Sequence, residues 1–81
     1  MYELISFVTR GKVRKKVLLN LDEPLTPTQL SEKIKTHRST TSRTLLELEE
    51  KGLVKCITPN ENMGRFYEIT SQGKKILGNL K

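Results

Sequence analysis

Apolar residues recur along this chain first at helical spacing and later at strand spacing, and each change of period marks an element. Leu4, Ile5, Phe7 and Val8 form a short set compatible with either helix or strand. After Arg10-Gly11-Lys12, Val13, Val17 and Leu21 recur at i, i+4 and i+8 with Leu18 beside them, which is one face of a helix. Gly11 predicts a break between the two sets. Asp22-Glu23-Pro24 is a turn signal, and Thr26-Pro27-Thr28-Gln29 is a strong helix start. Thr26 can cap, Pro27 suits the first helical position because its missing N–H would be unpaired anyway, and Gln29 completes a capping box. Leu30 and Ile34 share a face of that helix, which ends near Lys35.

Thr36 and His37 separate it from the next helix, which runs through Leu45 and Leu48 to Lys51 and stops at Gly52, a residue suited to the left-handed position after a helix. Two short helices joined by so few residues define a helix-turn-helix. Beyond Gly52 the period becomes two: Val54 and Cys56 share one side, Lys55 and Ile57 the other. Pro59 to Gly64 is a turn-rich loop, and Phe66-Tyr67-Glu68-Ile69 alternates again with Tyr67 and Ile69 together, so the two runs predict a hairpin. Thr70 can cap a last helix bearing Ile76, Leu77 and Leu80. The expected fold is α+β, a winged helix: a three-helix core containing a helix-turn-helix, a two-stranded β-hairpin wing and a C-terminal helix. At 81 residues the expectation is one domain over 1–81, with the helix-turn-helix at about 26–51 and the wing at about 54–70. Leu45, Leu48, Leu53, Ile34 and Val17 are expected to be buried together.

With 35% hydrophobic and 30% charged residues, the chain is too apolar for a disordered segment and too charged for a membrane-embedded one. Its apolar runs fall well short of the roughly 20 residues that span a bilayer. Arg10 to Lys16 interrupts what would be the apolar part of a signal peptide, so a cytoplasmic protein is expected. A net charge of +6 favours a polyanionic partner, nucleic acid first. The charge is segregated: Arg10, Lys12, Arg14, Lys15 and Lys16 lie in one run, whereas Glu47, Glu49 and Glu50 crowd the end of the second helix-turn-helix helix. One cysteine and one histidine cannot supply the four ligands of a structural zinc site, so no metal is expected. Without a nucleophile–base pair or a phosphate-cradling glycine loop, neither an enzyme nor a cofactor is expected.

Ser42-Arg43-Thr44-Leu45-Leu46-Glu47-Leu48-Glu49-Glu50-Lys51-Gly52-Leu53-Val54 resembles the pattern S-R-x-L-x-x-L-E-x-x-G-L-V of winged-helix regulators of the MarR and ArsR type. Gly64 to Gly73 is similar to the end of their wing, G-R-x-Y-x-(I or L)-T-x-x-G. Leu25 to Leu30 resembles the helix start L-T-P-x-(Q or E)-(L or I) of archaeal members. Together these stretches cover about residues 12–78. The resemblance implies a transcriptional regulator that binds double-stranded DNA, with its recognition helix in the major groove and its wing on adjacent backbone or minor groove. It also implies a homodimer, for which Leu4 to Val8 or Ile76, Leu77 and Leu80 are the candidate contacts. Thr41 departs from the pattern, which has Val or Ile packed inward there, so its hydroxyl needs a partner such as the carbonyl one turn earlier. The family's larger members carry a ligand site for which this chain has no full complement, so ligand sensing is not carried over.

Arg38-Ser39-Thr40-Thr41-Ser42-Arg43-Thr44 is the most informative stretch. Ser and Thr compete for backbone hydrogen bonds and build helices poorly. On a helix pressed into a groove, however, short side chains allow close approach, hydroxyls bond phosphates or base edges, and arginine clasps guanine through O6 and N7. The expected contacts are Arg38, Ser39, Thr40, Ser42 and Arg43, with His37 at the turn, Arg65 on the wing, and Asn62 near its tip. The glutamates behind them either lie away from DNA or form a solvated face. The basic run is ordinarily a solvated helix face, some of it within reach of flanking phosphate. Cys56 is expected to be a small buried hydrophobe. Leu46 faces outward, as a partner contact or as a lone exposed leucine. The alternative function is a winged-helix module that docks another protein without binding DNA.

Overall fold

The computed structural model describes residues 2–58 and 65–80. Its elements are α1 (Tyr2–Arg10), α2 (Lys12–Asn20), α3 (Pro27–Ile34), α4 (Arg38–Glu50), β1 (Val54–Cys56), β2 (Tyr67–Ile69) and α5 (Ser71–Leu80). The first apolar set is a helix: Val8 is fully buried, and Leu4, Ile5 and Phe7 pack half-buried against the same core. Gly11, in extended conformation, divides α1 from α2.

The start of α3 follows its sequence signal. The Thr26 hydroxyl accepts from the Gln29 N–H at 3.1 Å, and the Gln29 side chain accepts from the Thr26 N–H at 3.0 Å. Two of the donors left over at a helix start are thereby satisfied reciprocally. Thr26→Ala is expected to cost about 1 kcal/mol. A lower urea midpoint at unchanged slope would show it, and an unmoved midpoint would contradict it. The helix closes with Lys35 in the left-handed region (φ 55°) and the Thr36 N–H on the Ser31 carbonyl at 2.9 Å.

The end of α4 fixes where the wing begins. Gly52, at φ 77°, places its N–H on the Glu49 carbonyl (2.9 Å) and the Leu53 N–H on that of Leu48 (2.9 Å). This Schellman closure brings Leu53 back onto Leu48, and both are fully buried. β1 and β2 pair antiparallel in the register Val54↔Ile69, Lys55↔Glu68 and Cys56↔Tyr67. Leu25 adds an isolated bridge, exchanging both backbone hydrogen bonds with Tyr67 at 3.1 and 2.9 Å. Thr70 joins wing to α5: its hydroxyl donates to the Gly52 carbonyl (2.7 Å) and accepts from the Gly73 N–H (3.1 Å).

Val17, Ile34, Leu45, Leu48 and Leu53 share one core, joined by Val8, Leu18, Leu21, Leu30, Val54, Tyr67 and Ile76. Thr41 is fully buried and its hydroxyl donates to the His37 carbonyl one turn back at 3.0 Å, the partner its position required. Two expectations need correction. Cys56 is half-buried rather than buried, because it lies at the end of β1 beside the loop and packs on the edge of the core. Val8 and Ile76 are fully buried within the chain, since α1 and α5 are both needed to close its small core. They are not available for dimer contacts; Leu4, Ile5, Phe7, Leu77 and Leu80 keep partial exposure.

Candidate nucleic-acid interface

The 13 residues of α4 divide by exposure along a line the sequence only partly shows. Thr41, Thr44, Leu45 and Leu48 face the core. The Thr44 hydroxyl is spent on its own helix, donating to the Thr40 carbonyl at 2.8 Å. That leaves Arg38, Ser39, Thr40 and Arg43 exposed and Ser42 half-exposed, a strip of two guanidiniums and three hydroxyls. His37 is the exposed residue preceding α4, and it caps through its backbone, with no side-chain cap bond. Helix α3, which precedes α4 in the helix-turn-helix, presents Thr28, Gln29, Glu32 and Lys33 outward, and Lys35 is exposed just beyond its end.

The acidic half of α4 is not simply a solvated face. Glu47 pairs with Arg14 of α2 (Nε–Oε1 3.4 Å), and Arg14 also donates to the Phe7 carbonyl at 2.8 Å and stacks 3.9 Å from the centroid of the Phe7 ring. Glu49 turns toward the wing, where its carboxylate accepts from the Cys56 N–H at 3.3 Å. Both carboxylates hold elements together, a use that no spacing along the chain announces.

Arg14 is thus committed to the fold. The remaining exposed cations of α2, Lys12, Lys15 and Lys16, lie roughly 100–200° around the helix from it at 3.6 residues per turn, turned away from α4. The sequence places Arg10 to Lys16 in one run, but the structure separates it into a structural arginine and an outward lysine face. On the wing, Arg65 is exposed and hydrogen-bonded to the Tyr67 phenol. Burial raises the pKa of that phenol, Glu49 and Cys56 add to the effect, and Arg65 opposes it. Asn62 lies outside the described residues, as do Asn60 and Met63.

Lys35 is the residue that periodicity missed. It is exposed at the helix-turn-helix turn in a left-handed conformation that a residue with a Cβ adopts at a cost. Among the described residues no group of His, Cys, Asp and Glu is arranged to hold a metal ion, and no helix is long and apolar enough to cross a membrane.

Helix-turn-helix, antiparallel hairpin and flanking helices make this a winged helix-turn-helix domain, the fold of the MarR-type regulators. The chain belongs to the family described as the HVO_A0261 N-terminal domain, whose model matches residues 2–81. No curated protein matches it. Among solved structures, it is similar to a MarR family transcriptional regulator from Silicibacter pomeroyi DSS, with a TM-score of 0.76 and 28% identity over 98% of this chain and 55% of that one. NolR from Sinorhizobium fredii gives a TM-score of 0.74 at 22% identity, covering 98% of this chain and 83% of that one. Apo MarR from E. coli gives 0.70 at 23% identity, covering 98% and 72%. The chain spans about half the length of the Silicibacter regulator (55%).

Proposed function

We propose that the chain binds double-stranded DNA sequence-specifically as a transcriptional regulator in the cytoplasm, its 81 residues acting as one DNA-binding unit. The N-terminal half of α4 enters the major groove, and the wing lies on adjacent backbone or minor groove. One observation carries this reading: the outward strip Arg38, Ser39, Thr40, Ser42 and Arg43 is cationic and short-chained, while Glu47 and Glu49 behind it are held by Arg14 and the Cys56 N–H. A helix of 13 residues is roughly 20 Å long, and such a narrow front fits a groove about 12 Å wide. The solved structures it resembles are transcriptional regulators. By the same likeness the protein works as a homodimer, its two recognition helices about 34 Å apart. The half-buried apolar residues of α1 and α5, Leu4, Ile5, Phe7, Leu77 and Leu80, are the contacts left for it.

The test separates reading from adhesion. Arg43 lies one turn into α4, on the exposed side; Arg65 lies on the wing. Arg43→Ala is expected to cost about 1–3 kcal/mol on a selected site and to relax base choice at one position. Arg65→Ala is expected to weaken all sequences alike. Titration of both variants against the selected and a scrambled duplex distinguishes them. Equal losses with Arg43→Ala would reduce Arg43 to a phosphate clamp; no loss would remove α4 from the groove and return protein docking as the better account.

A further inference from the structure

Leu46 sits where a DNA-reading helix would be expected to be polar. It is 56% exposed, and it is the large hydrophobic side chain left exposed on α4 among the described residues. A single exposed leucine elsewhere needs no explanation; its address on the helix is what matters here. At 3.6 residues per turn, Leu46 lies within about 20° of Ser39, with Ser42 roughly 40° to one side and Arg43 roughly 60° to the other. It therefore continues the middle of the strip assigned to the groove. The sequence alone argues against so deep a penetration, because Glu47, Glu49 and Glu50 follow Leu46 and phosphates would repel them. The structure removes that objection for Glu47, which is paired with Arg14, and for Glu49, which is turned onto the Cys56 N–H. Glu50, exposed one turn beyond Leu46 on the same face, sets the limit of penetration at Leu46.

On the strength of the DNA reading above, we propose that Leu46 is a specificity-determining residue that recognises the C5-methyl group of a thymine in the major groove. That methyl is the one apolar mark the groove displays, and apolar side chains are what recognise it. Leu46 stands about 4.5 Å along the helix from Arg43. Stacked bases are about 3.4 Å apart, so the thymine lies about one or two base pairs from the one Arg43 contacts. Arg43 and Leu46 then read neighbouring pairs, one by hydrogen bonds and one by apolar contact, and a site containing G close to T is preferred.

The experiment replaces each thymine of a duplex selected by the wild-type protein with deoxyuridine, one at a time, which removes only the methyl. At one position the wild type should lose about fourfold in affinity, the worth of one buried methyl. Leu46→Ala should lose a comparable factor on the thymine duplex and be indifferent to the uracil at that position. Because Leu46 is exposed and alanine is the better helix former, the variant should keep the wild-type melting temperature. A wild type that prefers the selected duplex to a scrambled one but ignores every uracil overturns this inference alone. So does a Leu46→Ala protein that retains the uracil effect, since another side chain then reads the methyl. A wild type that binds no duplex overturns the DNA reading and this inference with it.

Discussion

Leu48→Ala is expected to lower the stability of this domain by about 2–5 kcal/mol. Leu48 is fully buried in the last turn of α4, in a core of side chains from α1 to α5. Its carbonyl also accepts the Leu53 N–H that closes the Schellman motif, and Leu53 folds back onto its side chain. The cavity would open at the junction of α4 and β1, where the Leu53 N–H is bonded to the Leu48 carbonyl. In a domain of this size each kcal/mol moves the melting temperature by about 4–8 °C, so the loss should be plain in a thermal melt. Leu46→Ala, two residues away on the opposite face, should leave the melt unmoved. An unchanged melting temperature for Leu48→Ala would mean that the inward and outward faces of α4 are exchanged, and the groove strip would then be misassigned as well.

The contrast between Leu48 and Leu46 shows how much of the structure was legible in the sequence. Elements with a periodic signal or a local stop signal were: the capping box at Thr26, the left-handed Gly52, and the inward row Leu45 and Leu48 each depend on residues within one or two turns of each other. The Thr41 hydroxyl was legible for the same reason, because its partner is one turn away. What escaped depends on residues distant in the chain. Glu47 and Arg14 are 33 positions apart, and nothing in either local pattern marks the pair. The bridge from Leu25 to Tyr67 involves a single residue, too short to have a period. Gly73 entered only through its resemblance to a wing ending. The structure gives the reason: a Cβ there would collide with the Leu53 carbonyl oxygen and lie 2.6 Å from Ile69 Cγ1, so the N-terminus of α5 approaches β1 only over a glycine. For the candidate site, the residue types of Arg38 to Thr44 were informative, but exposure divided them: Thr41 and Thr44 went to the helix itself, and Lys35 joined the face from the turn.

The affinity for duplex DNA is expected to fall with salt at a log–log slope of about −4 per bound chain, at roughly −0.9 for each neutralised phosphate. Four exposed cations lie on the elements proposed to face the DNA: Lys35 at the turn, Arg38 and Arg43 on α4, and Arg65 on the wing. Raising salt from about 50 to 200 mM should then weaken binding on the order of a hundredfold, and a homodimer on one duplex should roughly double the slope. Lys12, Lys15 and Lys16 are as exposed and as charged, but they face away from the side of α2 on which Arg14 meets α4. Replacing all three with glutamine should leave the slope where it was, although the net charge drops by as much as it would from losing three true contacts. Lys35→Gly gives the sharpest contrast. It relieves a left-handed backbone held by a residue with a Cβ, so stability should hold or rise by up to about 1 kcal/mol. The slope should nevertheless flatten by about one, because a phosphate contact is lost. A slope flat in salt would count against DNA binding altogether. A slope that collapses on losing the α2 lysines, with Lys35→Gly silent, would move the binding surface to the other side of the molecule.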